Sequence, residues 1–364
     1  MQLRVVEGAD VVGALADALA GGPPLAPLPE ARQLPALQID EPVTEPDAGA
    51  VVTTSGATGA PKAVVLSRSA LRFSADATHA RLGGAGDWVC ALPTRHVAGL
   101  MTVVRAVRAG TAVHFARPDL ADLETPRTRT YISLVAAQLD RALHEAETVA
   151  KLGAFAAVLL GGSALPSGLR ERANDAGVKL VATYGMSETC GGCVYDGVPL
   201  DGVRVELEGE RISLGGPMAF LGYRGRPELT RTVLSGDLVR TSDRGIWADG
   251  RLRVLGRADD VVISGGENVD LAAVQHACDA EFGTGTLAVL AIPDARWGAK
   301  VVALSRADLD LGRVQAILEP RLGKAAAPKE LRRVEHLAYT SIGKIDRTAL
   351  QLSWRELGED GDVG

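Results

Sequence analysis

Short apolar runs alternate with helix-period segments over the first half of the chain. Val51 and Val52 lead into a Gly- and Thr-rich segment, and the apolar AVVLS at 63–67 predicts a second strand, so this region reads as strand, loop, strand. The alternation runs on through WVCALP at 88–93, the helix-like AGLMTVVRAVRAG at 98–110, TAVHF at 111–115 and SLVAAQLDRALHEA at 133–146. AAVLLGG at 156–162, the helix-like LPSGLRERANDAG at 165–177 and KLVATYG at 179–185 continue it. Such a pattern predicts layered α/β architecture with ligand loops at the carboxyl ends of strands.

After about residue 194 the helical period fades into short strands with Gly-rich turns, VRVELEGERISLGG and GIWADGRLRVLG, which predict antiparallel pairing. A last stretch mixes a helix over 270–280, strands at LAVLAIP and VVALSR, a helix near 311–322 and a Lys-bearing tail. The expected fold class is α/β: a large domain of layered α/β sheets with a small antiparallel β part over residues 1–258, then a small α+β domain over 259–364. Residues 21–49, rich in Pro, Ala and acidic side chains without a sustained period, read as a connecting segment over the surface. The terminal GEDGDVG is expected to fray.

Composition narrows the function classes. A chain of 364 residues exceeds one ordinary core, which favours two domains. It is 46% hydrophobic and 23% charged, and no apolar run approaches the roughly 18 to 20 residues of a membrane span. MQLRVVEGAD has no basic patch followed by an apolar stretch and a small-residue cleavage site, so a cytoplasmic protein is expected. The net charge of -6, with no basic stripe, argues against a nucleic-acid partner. Cys90, Cys190, Cys193 and Cys278 are too few and too scattered for a disulfide framework. Cys190 and Cys193 form a C-x-x-C that suits a redox pair or half a zinc site, but nothing completes it, and ordinary thiols are the expectation.

Four segments carry candidate chemistry. Thr53-Thr54-Ser55-Gly56-Ala57-Thr58-Gly59-Ala60-Pro61-Lys62 offers backbone N–H groups, hydroxyls and an ammonium to phosphate oxygens. It is not the P-loop of common NTPases, since Pro61 precedes the lysine and Ala63 follows it; the competing reading is a plain turn. In Thr183-Tyr184-Gly185-Met186-Ser187-Glu188-Thr189 the tyrosine can stack on a purine and Glu188 can hold a magnesium ion, against the reading of a solvated glutamate in a loop. Asp243 can accept both hydroxyls of a ribose and Arg257 can reach a ribose or phosphate, or both can belong to surface turns. Lys344, in SIGKIDR, can be carried on a glycine turn to charge developing on a transferring phosphoryl group, or can merely solvate the surface.

In this order the segments resemble the signatures of the adenylate-forming superfamily of acyl-CoA synthetases, adenylation domains and luciferases. LLGGSAL at 159–165 looks like that family's adenine-side loop, and LPTRHVAGL at 92–100 looks like its acyl-pocket segment with a histidine. The resemblance covers about residues 50–350 and implies an ATP-dependent, AMP-forming acid–thiol ligase using ATP, Mg²⁺ and coenzyme A. It implies that Thr54, Ser55, Gly56, Thr58, Gly59 and Lys62 close over the β- and γ-phosphates, that Ser187 faces the α-phosphate and that Glu188 holds Mg²⁺. Tyr184 and the loop Gly161, Gly162, Ser163 would sandwich adenine, with Thr183, Gly185 and Met186 completing the nucleotide set. Asp243 would bind the ribose, Arg257 would assist, and Asp259 matches the hinge of a mobile C-terminal domain. Lys344, Glu188 and His96 are the implied catalytic set, and Gly265 and Gly266 would edge the pantetheine channel.

Within the superfamily the resemblance is closest to the short actinobacterial form of o-succinylbenzoate:CoA ligase, of menaquinone biosynthesis. It rests on YISLVAAQL at 131–139, TYGMSET at 183–189 and GGCVYDGVPL at 191–200. Ala57 departs from the family by replacing a usual hydroxyl residue, and the stretch before the phosphate loop is short, which agrees with this subfamily. Its substrate has two carboxylates, of which only the succinyl one is activated. Arg95 and His96, with Ser133 and Gln138, are expected to contact the spectator benzoate, unless Arg95 faces solvent and His96 only packs. The alternatives are a ligase for another aryl or medium-chain acid and, in a different class, a nucleotide-binding protein without turnover. A homodimer is compatible with the sequence.

Overall fold

A computed structural model describes residues 1–55, 61–163, 165, 168–339 and 345–359. The chain forms two compact units, one from Met1–Leu165, Leu169–Thr241 and Trp247–Arg253, the other from Ser242–Ile246 and the residues from Val254 onward. Among the described residues no helix is long and apolar enough to cross a membrane.

In the first unit, one sheet joins β1 (Arg4–Val6), β2 (Leu25–Pro27), β3 (Ala48–Ser55), β4 (Pro61–Ser67) and a short strand Gly222–Tyr223, in that order. The β3–β4 pair is the antiparallel strand, loop, strand read from the sequence, with Val51 opposite Val65 and Thr54 opposite Lys62. The segment 21–49 corrects the surface reading: β2 is buried and pairs in parallel with β1 and β3, and Leu37 and Val43 are core residues. Three residues ending in proline are too short to show a period, and the irregular stretch can be buried because an arginine satisfies its carbonyls. Arg224 donates to the carbonyls of Leu37 (2.6 Å) and Gln38 (2.8 Å).

Three helices pack beside the sheets. α1 (Asp10–Leu19) buries Val11, Ala14, Leu15, Ala18 and Leu19, one stripe of a 3.6-residue period. α2 (Arg68–Arg81) is capped by the Ser67 hydroxyl, which accepts from the Ala70 N–H at 2.9 Å. α3 (Val97–Ala109) ends on Gly110 at φ +68.

A second sheet holds β5 (Asp87–Cys90), β6 (Val113–Phe115), β7 (Thr130–Leu134), β8 (Ala157–Leu160), β9 (Leu180–Met186), β10 (Gly191–Tyr195) and β11 (Val198–Pro199), ordered β11-β10-β9-β8-β7-β5-β6. The strands from β5 to β9 are parallel, and β5, β7 and β8 are largely buried, which is why these three read as unbroken apolar runs, while β10 turns back antiparallel on β9. The strands Arg204–Glu208 and Arg211–Gly215 form the antiparallel hairpin read from VRVELEGERISLGG. Layered α/β sheets with an antiparallel part are therefore the fold.

The second unit is α+β. A hairpin, Val261–Ser264 with Glu267–Asp270, pairs with the strand Gly298–Ser305, which in turn pairs with Leu287–Asp294 and Leu331–Arg333, and helices Leu271–Phe282, Leu311–Leu322 and Arg347–Glu359 complete the unit. Asp270 and Asp310 cap the first two helices through their carboxylates.

Candidate active site

The segment expected to face phosphate is flanked by β3 and β4. Their register sets Thr54 beside Lys62, while Thr53 points into the core and donates to Gln33 Oε1 at 2.9 Å. Gly56, Ala57, Thr58 and Gly59 lie outside the described residues, and so does Lys344. The ammonium of Lys62 sits 5.2 Å from the ring centroid of Tyr223.

Glu188 lies where β9 gives way to β10. Ser187–Thr189 form one 3₁₀ turn that Cys190, at φ +51, reverses into β10. The buried Thr189 hydroxyl clips this turn, accepting from the Met186 N–H (2.9 Å) and sharing its single proton between the carbonyls of Met186 (3.1 Å) and Gly191 (2.9 Å). The Glu188 carbonyl accepts from the Phe220 N–H at 2.9 Å. Its carboxylate accepts from the Tyr223 hydroxyl at 2.7 Å through Oε1, so Glu188 is an anchored acid and not a solvated loop residue. Burial first, and then the charge and hydrogen bond of Glu188, hold the Tyr223 phenol well above its ordinary range, so it remains a donor.

The adenine-side segments meet at the carboxyl ends of β8 and β9. A Cβ on Gly161 would stand 2.6 Å from Thr183 Oγ1, and one on Gly185 only 2.0 Å from the Gly191 carbonyl oxygen, so both glycines are required by close approach. Tyr184 pairs with Val194 and Thr183 with Tyr195 across β10. Gly162 and Ser163 follow as exposed residues of the same loop. Thus Thr54, Lys62, Gly161, Thr183, Tyr184 and Glu188 all belong to the first unit, the first two on the β3–β4 pair of one sheet and the others on or just after β8 and β9 of the second.

The acyl-side residues have their own geometry. His96 takes the position before α3, and its carbonyl accepts from the Leu100 N–H at 3.0 Å. Burial, then the charge of Arg95, lowers the His96 pKa, while Glu30 opposes the shift. Arg95 faces Glu30, with Nη2 3.8 Å from Oε1, and does not simply point to solvent. Ser133, on β7, is buried, and its hydroxyl has no partner among the described residues. Gln138, expected to line the pocket, has its whole amide engaged. Its amide accepts from the Val135 N–H (3.0 Å) and donates to the carbonyls of Ala91 (3.0 Å) and Pro118 (2.9 Å), so it braces the wall.

Sequence reasoning missed three side chains here: Tyr223, Glu30 and Arg105. Arg105 was signalled as a charge within an apolar helical pattern. It is 4% exposed, lies 4.9 Å over the Trp88 ring and donates to the Tyr195 hydroxyl at 3.4 Å. Trp88 in turn donates to His79 Nε2 at 3.1 Å, and burial, then Arg105, lowers the His79 pKa. Cys190 and Cys193 are free and buried. Burial pushes Cys193 up to about 12 and raises Cys190 as well, so neither is a ready nucleophile.

In the second unit, Arg257 Nη1 lies 3.8 Å from Asp243 and its Nη2 pairs with Asp259. Burial works against the Arg257 charge, but the hydrogen bond and charge of Asp259, with Asp243, raise its pKa overall. Asp259 sits in the 3₁₀ turn Ala258–Asp260, and Asp260 pairs with Arg347 at 2.7 Å. Gly265 and Gly266, at φ +60 and +85, form the tip of the hairpin.

Comparison with known proteins follows this geometry. The family model described as "AMP-binding enzyme" matches residues 8–223. A probable 2-succinylbenzoate--CoA ligase of Mycobacterium tuberculosis (strain CDC 1551 / Oshkosh) is 41% identical over 335 residues, covering 87% of this chain and 87% of its own length. The 2-succinylbenzoate--CoA ligase of Listeria monocytogenes serotype 4b (strain F2365) is 31% identical over 327 residues, covering 84% of this chain and 70% of its own. Among solved structures, the o-succinylbenzoate coenzyme A synthetase of Bacillus subtilis in complex with ATP and magnesium ion superposes with a TM-score of 0.72 at 25% identity, covering 84% of this chain and 70% of that one. With more than half its length matched by the family model and a relative this similar along most of both chains, the chain belongs to the AMP-binding enzyme family.

Proposed function

We propose that this chain is an o-succinylbenzoate:CoA ligase of menaquinone biosynthesis. It joins o-succinylbenzoate to AMP from ATP and then passes the acyl group to coenzyme A, in the cytoplasm where both nucleotides are available. The observation that carries this reading is an anchored carboxylate, Glu188, sharing Tyr223 with the phosphate-loop lysine Lys62, in a chain 41% identical to a probable 2-succinylbenzoate--CoA ligase.

The donor set fits magnesium. Among the described residues no three His, Cys, Asp or Glu side chains gather into a metal cage. A single carboxylate suits an ion that keeps its waters and takes its other ligands from substrate phosphates. Held by Glu188, Mg²⁺ would offset triphosphate charge.

The chain's own residues do the rest. Lys62 and the Thr54 and Ser55 strand end, with Gly56, Thr58 and Gly59, hold the β- and γ-phosphates, and Ser187 faces the α-phosphate. Tyr184 and the Gly161, Gly162, Ser163 loop, with Thr183, Gly185 and Met186, hold adenine, and Asp243 and Arg257 take the ribose. Lys344 approaches as the succinyl carboxylate attacks the α-phosphorus in line; the new P–O bond forms as the bond to pyrophosphate breaks. The small domain, residues 259–364, then turns about Asp259, withdrawing Lys344 and bringing in Gly265 and Gly266 beside the pantetheine arm. The coenzyme A thiol gives its proton to solvent, its sulfur forms a bond to the acyl carbon, and the bond from that carbon to the AMP phosphate oxygen breaks, releasing AMP.

For the spectator benzoate the electrostatics favour Arg95. A lowered pKa keeps His96 neutral, so it can hydrogen-bond the substrate without supplying charge, and Ser133 offers a hydroxyl with no other partner among the described residues. Mass spectrometry of the products from ATP, coenzyme A and o-succinylbenzoate tests the proposal: o-succinylbenzoyl-CoA and AMP should form together. A pyrophosphate-release screen that ranks another acid far above o-succinylbenzoate would move the enzyme to that substrate. Absence of acid-dependent AMP would leave a nucleotide-binding protein.

A further inference from the structure

The triphosphate end of the site contains a side chain that none of the motifs includes. Tyr223 lies on the short strand Gly222–Tyr223, which pairs antiparallel with β4 and sets Tyr223 opposite Val64. Lys62, two positions earlier on β4, projects to the same face as Val64, so the register itself brings the lysine diagonally beside the tyrosine ring. The ring is 6% exposed and is fixed on other sides too. Phe220 packs edge-on at 4.9 Å between centroids, and the Tyr223 N–H donates to Thr230 Oγ1 at 2.9 Å.

We infer that Tyr223 is a positioning residue that couples the metal-holding carboxylate of Glu188 to the phosphate-facing ammonium of Lys62, its hydroxyl fixing the first and its ring face the second. The inference rests on the reading of Glu188 as the metal-holding acid given above. Its physical content is pre-organisation. The hydroxyl occupies Oε1 at 2.7 Å, and no other donor among the described residues reaches this carboxylate, so one oxygen is spent on orientation and the other is left for the ligand. Partners of this kind around metal-ligating carboxylates fix their rotamer and commonly change metal affinity by roughly 10- to 100-fold. If the hydroxyl needed only a buried acceptor, a backbone carbonyl would have sufficed; here it is the candidate metal ligand itself.

The test is a double-mutant cycle read by metal binding and not by turnover. Mn²⁺ binding in the presence of α,β-methylene-ATP, which resists adenylation, is followed by electron paramagnetic resonance in the full chain, in Tyr223→Phe, in Glu188→Gln and in the combined variant, each melted first. Tyr223→Phe should weaken Mn²⁺ binding roughly 10- to 100-fold while leaving metal-free nucleotide binding nearly unchanged, because Lys62 keeps its ring. In the Glu188→Gln background the same change should do little more. A Tyr223→p-aminophenylalanine variant, which restores a donor and guards against a poorly folded Tyr223→Phe, should regain most of the affinity. Unaltered Mn²⁺ binding in Tyr223→Phe beside a loss in Glu188→Gln overturns the positioning role and leaves the proposed metal site standing; so does full additivity of the two changes. Unaltered binding in both single variants overturns the site and the inference together.

Discussion

The proposed nucleotide end and the proposed acyl end of the first unit are built by different means. At the nucleotide end, strand register and close backbone approach dictate the geometry: Thr54 opposite Lys62, Thr183 against Gly161, Gly185 against Gly191, and Glu188 tied to Tyr223. At the acyl end the charged groups sit in the turn before a helix, and Arg95 is balanced across 3.8 Å by Glu30, a residue from the irregular segment ahead of β3. Chemistry common to every acid needs fixed dipoles aimed at phosphate, whereas choice among acids needs side chains that can be exchanged without disturbing a sheet. The contrast teaches where to expect rate and where to expect specificity.

The largest effect should come from the lysine proposed to act on both the acid and the α-phosphate. Lys344→Ala should slow acid-dependent pyrophosphate exchange into ATP roughly 100- to 1,000-fold, with any acid, and leave the melting temperature unchanged. Exchange at the native rate would remove the lysine from the mechanism and break the proposed link between SIGKIDR and the α-phosphorus.

Next in size is Arg95→Ala, which acts on specificity alone. The KM for o-succinylbenzoate should rise about 10-fold, the order expected for losing a charge-assisted contact, while the KM for ATP stays put. Turnover of 3-benzoylpropionate, which lacks the spectator carboxylate, should not change. An unaltered KM for o-succinylbenzoate would take Arg95 out of the pocket. Glu30→Gln sharpens the same point with a smaller effect of opposite sign. It releases Arg95 and removes the group that holds the His96 pKa up, so the KM for o-succinylbenzoate should fall a few-fold, and any feature of its pH profile due to His96 should move to lower pH. A rise in KM would make Glu30 a substrate contact itself.

How much of this was legible follows the same division. The segments proposed to hold phosphate and adenine stand out in the sequence because their hydroxyls, glycines and Glu188 lie in short contiguous runs. The long helices and buried parallel strands were readable from period and from unbroken apolar runs, as with Leu311–Leu322 and Ala157–Leu160. Tyr223 and Glu30 were not, because each meets its partner only through sheet pairing or the path of an irregular segment. α1 was overlooked because Ala14 and Ala18 make much of its stripe, and small residues blur a period. The final helix buries Leu350 and Trp354 four positions apart, a real signal overshadowed by the neighbouring lysine motif.

One network joins the two ends, and it supports the smallest prediction. Arg105 on α3 reaches Tyr195 on β10, which pairs with Thr183, and Trp88 beneath it donates to His79 Nε2. An imidazole that accepts this bond beside a buried guanidinium is neutral, and its pKa lies below the ordinary 6.5. The unfolded chain therefore binds a proton first as pH falls, so stability must be lost as pH drops from 6.5 toward the lowered folded value. In His79→Gln the amide oxygen can still accept from Trp88 but cannot titrate, so its melting temperature should decline less over that interval than the parent's. Equal declines would show that carboxylates elsewhere govern the acid response, and that this junction between the nucleotide and acyl ends is held by packing around Arg105 and not by the charge state of His79.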